Sequence, residues 1–183
     1  MSNFSIDKEN SALLIVDVQE KLAPAMKVRD EVIGNCIHLL ELAKLLNIAV
    51  VITEQYPKGL GLTVPEIRNV LPAYQPIEKL TFSCCGEPKF QDQIKRLDKK
   101  TIIVAGMETH VCVLQTCIGL LNDGFNVHVV SDAVCSRSKK DWKIGIEYMR
   151  DAGAVITCTE TVLFQLLKVA GTEEFRTISR RIR

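Results

Sequence analysis

The stretch SALLIVD, residues 11–17, sets five consecutive apolar residues after a serine and closes on a carboxylate. A run that is apolar on both faces, with no alternation, suits a parallel strand covered by helices on each side and not a half-exposed antiparallel one. Runs of the same kind predict further strands at 48–55, 76–79, 100–106, 126–132 and 154–157. Between them, helical patterns are expected at 30–46, 90–97, 112–123, 139–152 and 160–167, with Gly124 and Gly153 placed to end two of them. Strands alternating with helices predict an α/β fold: a three-layer α/β/α sandwich whose doubly wound, mainly parallel six-stranded sheet has the order 3-2-1-4-5-6. The weakest period lies in 55–76, where Pro57, Gly59, Gly61, Pro65 and Pro72 fall. It reads as an active-site loop with a short helix around 63–70.

The 183 residues are 47% hydrophobic and 25% charged, which predicts one domain over 1–183, with a core at about 11–167 and a tail at 168–183. A chain of this length buries roughly 70% of its unfolded surface and needs neither disulfide nor metal to fold. With 23 Lys and Arg against 22 Asp and Glu, the net charge is +1, so no global field recruits nucleic acid or an anionic membrane. The basic clusters KRLDKK (95–100) and RSKKDWK (137–143) contain aspartates and one aromatic between them, Trp142, in a chain only 5% aromatic, so they read as solvated faces. The terminal RRIR reads as a mobile tail. No apolar run reaches the roughly 20 residues a membrane helix needs.

Seven cysteines, an odd number, with no secretory leader pattern, predict a reducing, cytoplasmic setting. Cys84 and Cys85 are adjacent, Cys112 and Cys117 are five apart, and the histidines at 38, 110 and 128 are scattered, so no zinc-ligand spacing is present.

In the predicted sheet, the connections of strands one and four depart in opposite directions and open a crevice beyond their carboxyl ends. Asp17 closes the first of these strands. A partly desolvated carboxylate there is a better proton acceptor, and a turn or helix-capping aspartate is the competing role. Cys112 lies at the expected start of the 112–123 helix, where backbone N–H groups and the helix dipole stabilise a thiolate and can also hold an oxyanion. Cys36, Cys117, Cys135 and Cys158 read as structural. Lys79 closes the third strand, and its ammonium is expected near both groups, lowering the thiol pKa. Glu54, Gln55 and Tyr56 follow the second strand and are expected to line the crevice, with Gln19 and Phe82 as further substrate contacts. His110 is expected to pack or cap, since residues two apart at a helix start point in different directions.

These residues lie in motifs that resemble the isochorismatase-like cysteine hydrolases, most closely their small single-domain branch. The marks are ALLIVDVQE (12–20), VITEQYPKGLG (51–61), EKLTFSC (78–84), AGMETHVCVLQT (105–116) and HVVSDAVCSR (128–137). The resemblance implies a triad in which Asp17 takes the thiol proton, Lys79 stabilises charge and Cys112 attacks a carbonyl-type carbon. It also implies a cis peptide at Met107-Glu108, an oxyanion hole from the N–H groups of Glu108 and Cys112, and a homo-oligomer acting on a small-molecule substrate. Nicotinamidases of this superfamily hold a metal with an aspartate and histidines after the second strand. Here that segment, TEQYPKGLGLTVPE, has no histidine, so no catalytic metal and no cofactor are expected. The expected activity is hydrolysis of a small carbonyl compound, an amide foremost. A thiol sensor of oxidants or electrophiles would instead form reversible adducts on a low-pKa Cys112 without turnover. A scaffold that keeps the fold would leave Cys112 inert.

Overall fold

A computed structural model describes residues 4–71 and 73–182. Six strands, β1 (Ser11–Val16), β2 (Ala49–Gln55), β3 (Ile77–Lys79), β4 (Thr101–Met107), β5 (Asn126–Cys135) and β6 (Val155–Thr157), form one sheet. Its order is β3-β2-β1-β4-β5-β6, and every pairing is parallel. The helices are α1 (Arg29–Leu46), α2 (Pro57–Leu60), α3 (Pro65–Arg68), α4 (Pro88–Arg96), α5 (Leu114–Asn122), α6 (Lys139–Asp151), α7 (Thr159–Leu167) and α8 (Glu173–Arg181). Among the described residues no helix is long and apolar enough to cross a membrane.

Both faces of the sheet are covered, as the unalternating strands require. On one face Leu13, Ile15, Ile52, Ile103 and Ala105 pack beneath Leu39, Leu42, Val162 and Leu163 of α1 and α7. On the other, Leu14, Val16, Val51, Ile102 and Val104 pack against Phe90 and Ile94 of α4, Cys117 and Leu120 of α5 and Met149 of α6. Gly124 and Gly153 take left-handed φ values of 82° and 107°, turning the chain from helix back into strand as expected.

Three expectations need correction. The helix expected over 112–123 is preceded by a five-residue π-helical turn, Thr109–Val113, and α5 begins only at Leu114. The segment 55–76 carries the short helix expected at 63–70, as α3, and a second single-turn helix, α2, that was not expected. The terminal RRIR, expected to be mobile, has Arg180 and Arg181 inside α8 and Ile182 as its C-cap residue, while Arg183 lies outside the described residues. The charge of α8 had masked an amphipathic pattern: Ile178 is buried and Ile182 partly buried against the same core as α1. Thr172 caps α8 by accepting from the Phe175 N–H at 3.1 Å, and Arg181 reaches Glu41 at 3.6 Å.

Candidate active site

The carboxyl ends of β1, β2 and β4 lie side by side, with Val16 paired to both Thr53 and Gly106. Strict alternation would send Asp17 to the face that holds Leu13 and Ile15. Instead Asp17 has φ 50°, a left-handed conformation that aspartate tolerates better than most residues. This reverses its direction and aims the carboxylate into the same layer as Cys112. Both carboxylate oxygens are held. Oδ1 accepts from the Thr53 hydroxyl at 2.8 Å and Oδ2 from the Lys79 ammonium at 2.6 Å.

Lys79 ends β3, whose register places it opposite Gln55. Its ammonium also donates to Gln55 Oε1 at 2.9 Å and to the carbonyls of Thr81 and Phe82 at 3.2 and 3.1 Å. Neither the Lys79 nor the Asp17 side chain is exposed to solvent. Every proton of the ammonium therefore has an acceptor inside the protein.

Cys112 sits in the π-helical turn after β4. The Val113 N–H reaches back five residues to the Glu108 carbonyl at 3.1 Å, and the Val111 N–H donates to the same oxygen at 3.1 Å. A widened turn of this kind is a frequent feature of functional sites. The peptide Met107-Glu108, which leads into it, is cis. α6 presses on the turn from outside at Gly145, where an added Cβ would lie 3.1 Å from Thr109 Cγ2 and the Thr109 carbonyl. Cys112 is 6% exposed, and its thiol lies within electrostatic reach of Asp17 and Lys79.

Burial raises the Asp17 carboxyl above its ordinary range, against the opposing pull of Lys79, Thr53 and Cys112. Burial also disfavours the Lys79 ammonium, but the charge of Asp17 and the facing thiols more than offset it and hold the lysine above its usual value. The Cys112 thiol is pushed up, first by burial and then by Asp17, with Lys79 pulling weakly the other way. This corrects the expectation of a lowered thiol pKa. Burial and the Asp17 charge both favour the neutral form of this thiol.

Of the other expected contacts, Gln19 is fully buried. Its amide donates to the carbonyls of Gln55 (3.0 Å) and Gly61 (2.7 Å), while its oxygen accepts from the Gln55 N–H at 2.8 Å. It ties β1 to the 55–76 segment and has no group left for a ligand. Gln55 is likewise committed, with Nε2 on the Leu80 carbonyl at 2.8 Å and Oε1 on Lys79. Glu54 points to the opposite face and is buried, accepting from the N–H and hydroxyl of Thr63 and from the Tyr74 hydroxyl. Tyr56 and Phe82 are half exposed. The Glu108 carboxylate pairs outward with Arg137 at 2.9 Å. His110 Nδ1 meets Ser136 Oγ at 2.9 Å, in keeping with a packing role.

Two residues that approach Asp17 were not singled out in the sequence. Thr53 is one strand position before Glu54, and a polar β-branched residue on the same face as Gln55 was the available signal. Cys84 lies in a short 3₁₀ turn, Cys84–Gly86, with its N–H on Thr116 Oγ1 at 2.9 Å and its sulfur 3.7 Å from Thr53 Oγ1. Among the described residues, no group of three or more His, Cys, Asp or Glu converges as a metal-ligand set.

A buried aspartate, lysine and cysteine at the switch point of a 3-2-1-4-5-6 parallel sheet mark an isochorismatase-like hydrolase. The model of the isochorismatase domain matches residues 11–161, and the chain belongs to that family. It is 37% identical over 179 residues to isochorismatase family protein 1A of Dictyostelium discoideum, covering 95% of this chain and 86% of that protein. A Caenorhabditis elegans structure described as MAR1 ribonuclease superposes with a TM-score of 0.90 at 41% identity, over 97% of this chain and 92% of the other. The YcaC product of Escherichia coli, described as an octameric hydrolase of unknown specificity, superposes with a TM-score of 0.91 at 26% identity, over 97% and 90%.

Proposed function

We propose that this protein is a cysteine-dependent hydrolase of small carbonyl compounds, with amides as the substrate class. The observation that carries the reading is the buried Asp17 carboxylate, paired to Lys79 at 2.6 Å and close enough to Cys112 for its charge to act on the thiol. Asp17 takes the thiol proton as the sulfur attacks the carbonyl carbon, and Lys79 stabilises the charge that moves between them. The oxyanion is held by the backbone N–H groups of Glu108 and Cys112. When the carbon–nitrogen bond breaks, the proton on Asp17 passes to the departing amine. Asp17 then takes a proton from water as the water attacks the thioester, and returns it to sulfur as the acid leaves. Each proton and electron pair is carried by the chain, the substrate and water, so the cycle requires no cofactor.

Tyr56 and Phe82 form the rim against which a substrate would rest. Gln55 acts by holding Lys79, and Gln19 by holding the Gln55 backbone. A thiol sensor needs a standing thiolate, and the raised Cys112 thiol speaks for base-coupled catalysis instead. A homo-oligomer is the state described for the YcaC relative, and we carry it to this chain on that likeness. Seven free thiols suit a reducing compartment such as the cytoplasm.

The test is ammonia release from a panel of small amides, with mass-spectrometric trapping of an acyl adduct. Wild type is expected to release ammonia and carry the adduct on Cys112, and Cys112→Ala to do neither while keeping its circular dichroism spectrum. Full activity in Cys112→Ala would overturn the proposal. Reversible Cys112 adducts without product release would favour the sensor, and RNA cleavage independent of Cys112 would move the chemistry elsewhere on the molecule.

A further inference from the structure

We infer that Thr53 is a positioning residue of this site, holding Oδ1 of Asp17 so that the carboxylate faces the Cys112 thiol, with Cys84 fixing the direction of the Thr53 hydroxyl. The inference rests on the reading of Asp17 as the base. An ionised carboxylate can only accept, so the 2.8 Å contact requires Thr53 to be the donor. The Thr53 oxygen then meets Cys84, 3.7 Å away, only as an acceptor, and the Cys84 S–H must donate. A chain of donors therefore runs one way, from Cys84 through Thr53 to Asp17. All three residues are fully buried, so no water competes for these bonds.

The arrangement also separates the two thiols of the site. Cys84 is held as a donor, and burial, with Asp17 next, pushes it up to about 12. Its backbone is anchored to Thr116, one helical turn beyond Cys112. Cys112 keeps some solvent exposure, 6% against 0% for Cys84. The titratable groups that face Asp17 are Lys79 from the end of β3, Cys84 from the turn that follows, and Cys112 from the turn after β4. Thr53, from β2, is the uncharged member that fixes its orientation.

The experiment is the pH dependence of Cys112 alkylation by iodoacetamide, read on the Cys112 peptide by mass spectrometry, so that no substrate need be known. Asp17→Asn should flatten the profile. Thr53→Val keeps the β-branched shape but removes the donor. It should slow alkylation at neutral pH about tenfold, the size of one hydrogen bond to a charged group, and move the acid limb to higher pH because the carboxylate has lost a stabilising partner. Thr53→Ser restores the hydroxyl and should return the profile toward wild type. Circular dichroism and urea titration of each variant separate a misfolded site from a misplaced base. A wild-type profile in folded Thr53→Val, with Asp17→Asn flattened, would overturn this inference and leave Asp17 as the base. A wild-type profile in Asp17→Asn would overturn both.

Discussion

The Lys79 ammonium lies 2.6 Å from Asp17 Oδ2 with both side chains sealed from solvent. Removing one partner of such a pair strands a buried charge, at a cost of about 3 to 5 kcal/mol, whereas removing both costs far less. Lys79→Met is expected to lose about 3 kcal/mol in urea unfolding, and Asp17→Asn less, because the fold already favours the uncharged form at that position. The double variant should recover most of that loss while remaining inactive. Additive losses in the double variant would show that the two groups do not act as a pair.

The same pair sets how stability depends on pH. Lys79 is raised in the folded state, so the stability it contributes is complete below its ordinary 10.5 and is lost as pH rises through the higher folded value. Asp17 is also raised, so the folded state holds that proton more tightly than the unfolded chain. Ionising Asp17 lowers stability as pH climbs from 3.8 through the folded value. Urea titrations of wild type should show unfolding free energy falling above pH 10.5. Lys79→Met should lack that alkaline loss, and an equal alkaline slope in both proteins would assign the effect to other groups.

Strand order and the meeting of Asp17, Lys79 and Cys112 were legible because they follow from position. Apolar runs ending in a polar residue put those groups at the carboxyl edge of a parallel sheet. Local geometry was not legible. The side to which Asp17 turns depends on one positive φ, which no side-chain periodicity encodes. The π-helical turn at Cys112 depends on hydrogen bonds to the Glu108 carbonyl, and its sequence scans as an ordinary helix. Gln19 looked like a crevice residue because it is polar and two positions past Asp17. Its amide instead matches backbone groups that become neighbours only after folding. The thiol pKa was misjudged in sign because burial and the Asp17 charge together outweigh the nearby lysine.

Gly106 is the position where β4 has least room. Its φ is 123°, and a Cβ there would lie 2.0 Å from the Val16 carbonyl oxygen and 2.6 Å from the Val16 nitrogen. Those are backbone atoms of the strand that carries Asp17, so neither can swing aside. Gly106→Ala should lose about 4 kcal/mol or more, in the range of severe core lesions. The same step should displace β1 and suppress Cys112 alkylation in any protein that still folds. Near-wild-type urea unfolding of Gly106→Ala would contradict the close approach of the two strands.

Gln19 offers a gentler test of how the 55–76 segment supports the site. Gln19→Ala removes three hydrogen bonds and leaves the Gln55 N–H and the carbonyls of Gln55 and Gly61 without those partners. Unsatisfied buried groups cost about 1 to 3 kcal/mol each when water cannot replace the bond, so a loss of about 2 kcal/mol is expected once the loop relaxes. The relaxation has a direction. Gln55 carries the amide that holds Lys79 at 2.9 Å, and a shifted Gln55 backbone draws that contact away from Asp17. The variant should therefore be cut faster by protease within 57–64 and should alkylate Cys112 more slowly at neutral pH. Faster cleavage with unchanged alkylation would confine Gln19 to holding the loop and separate it from the chemistry of the site.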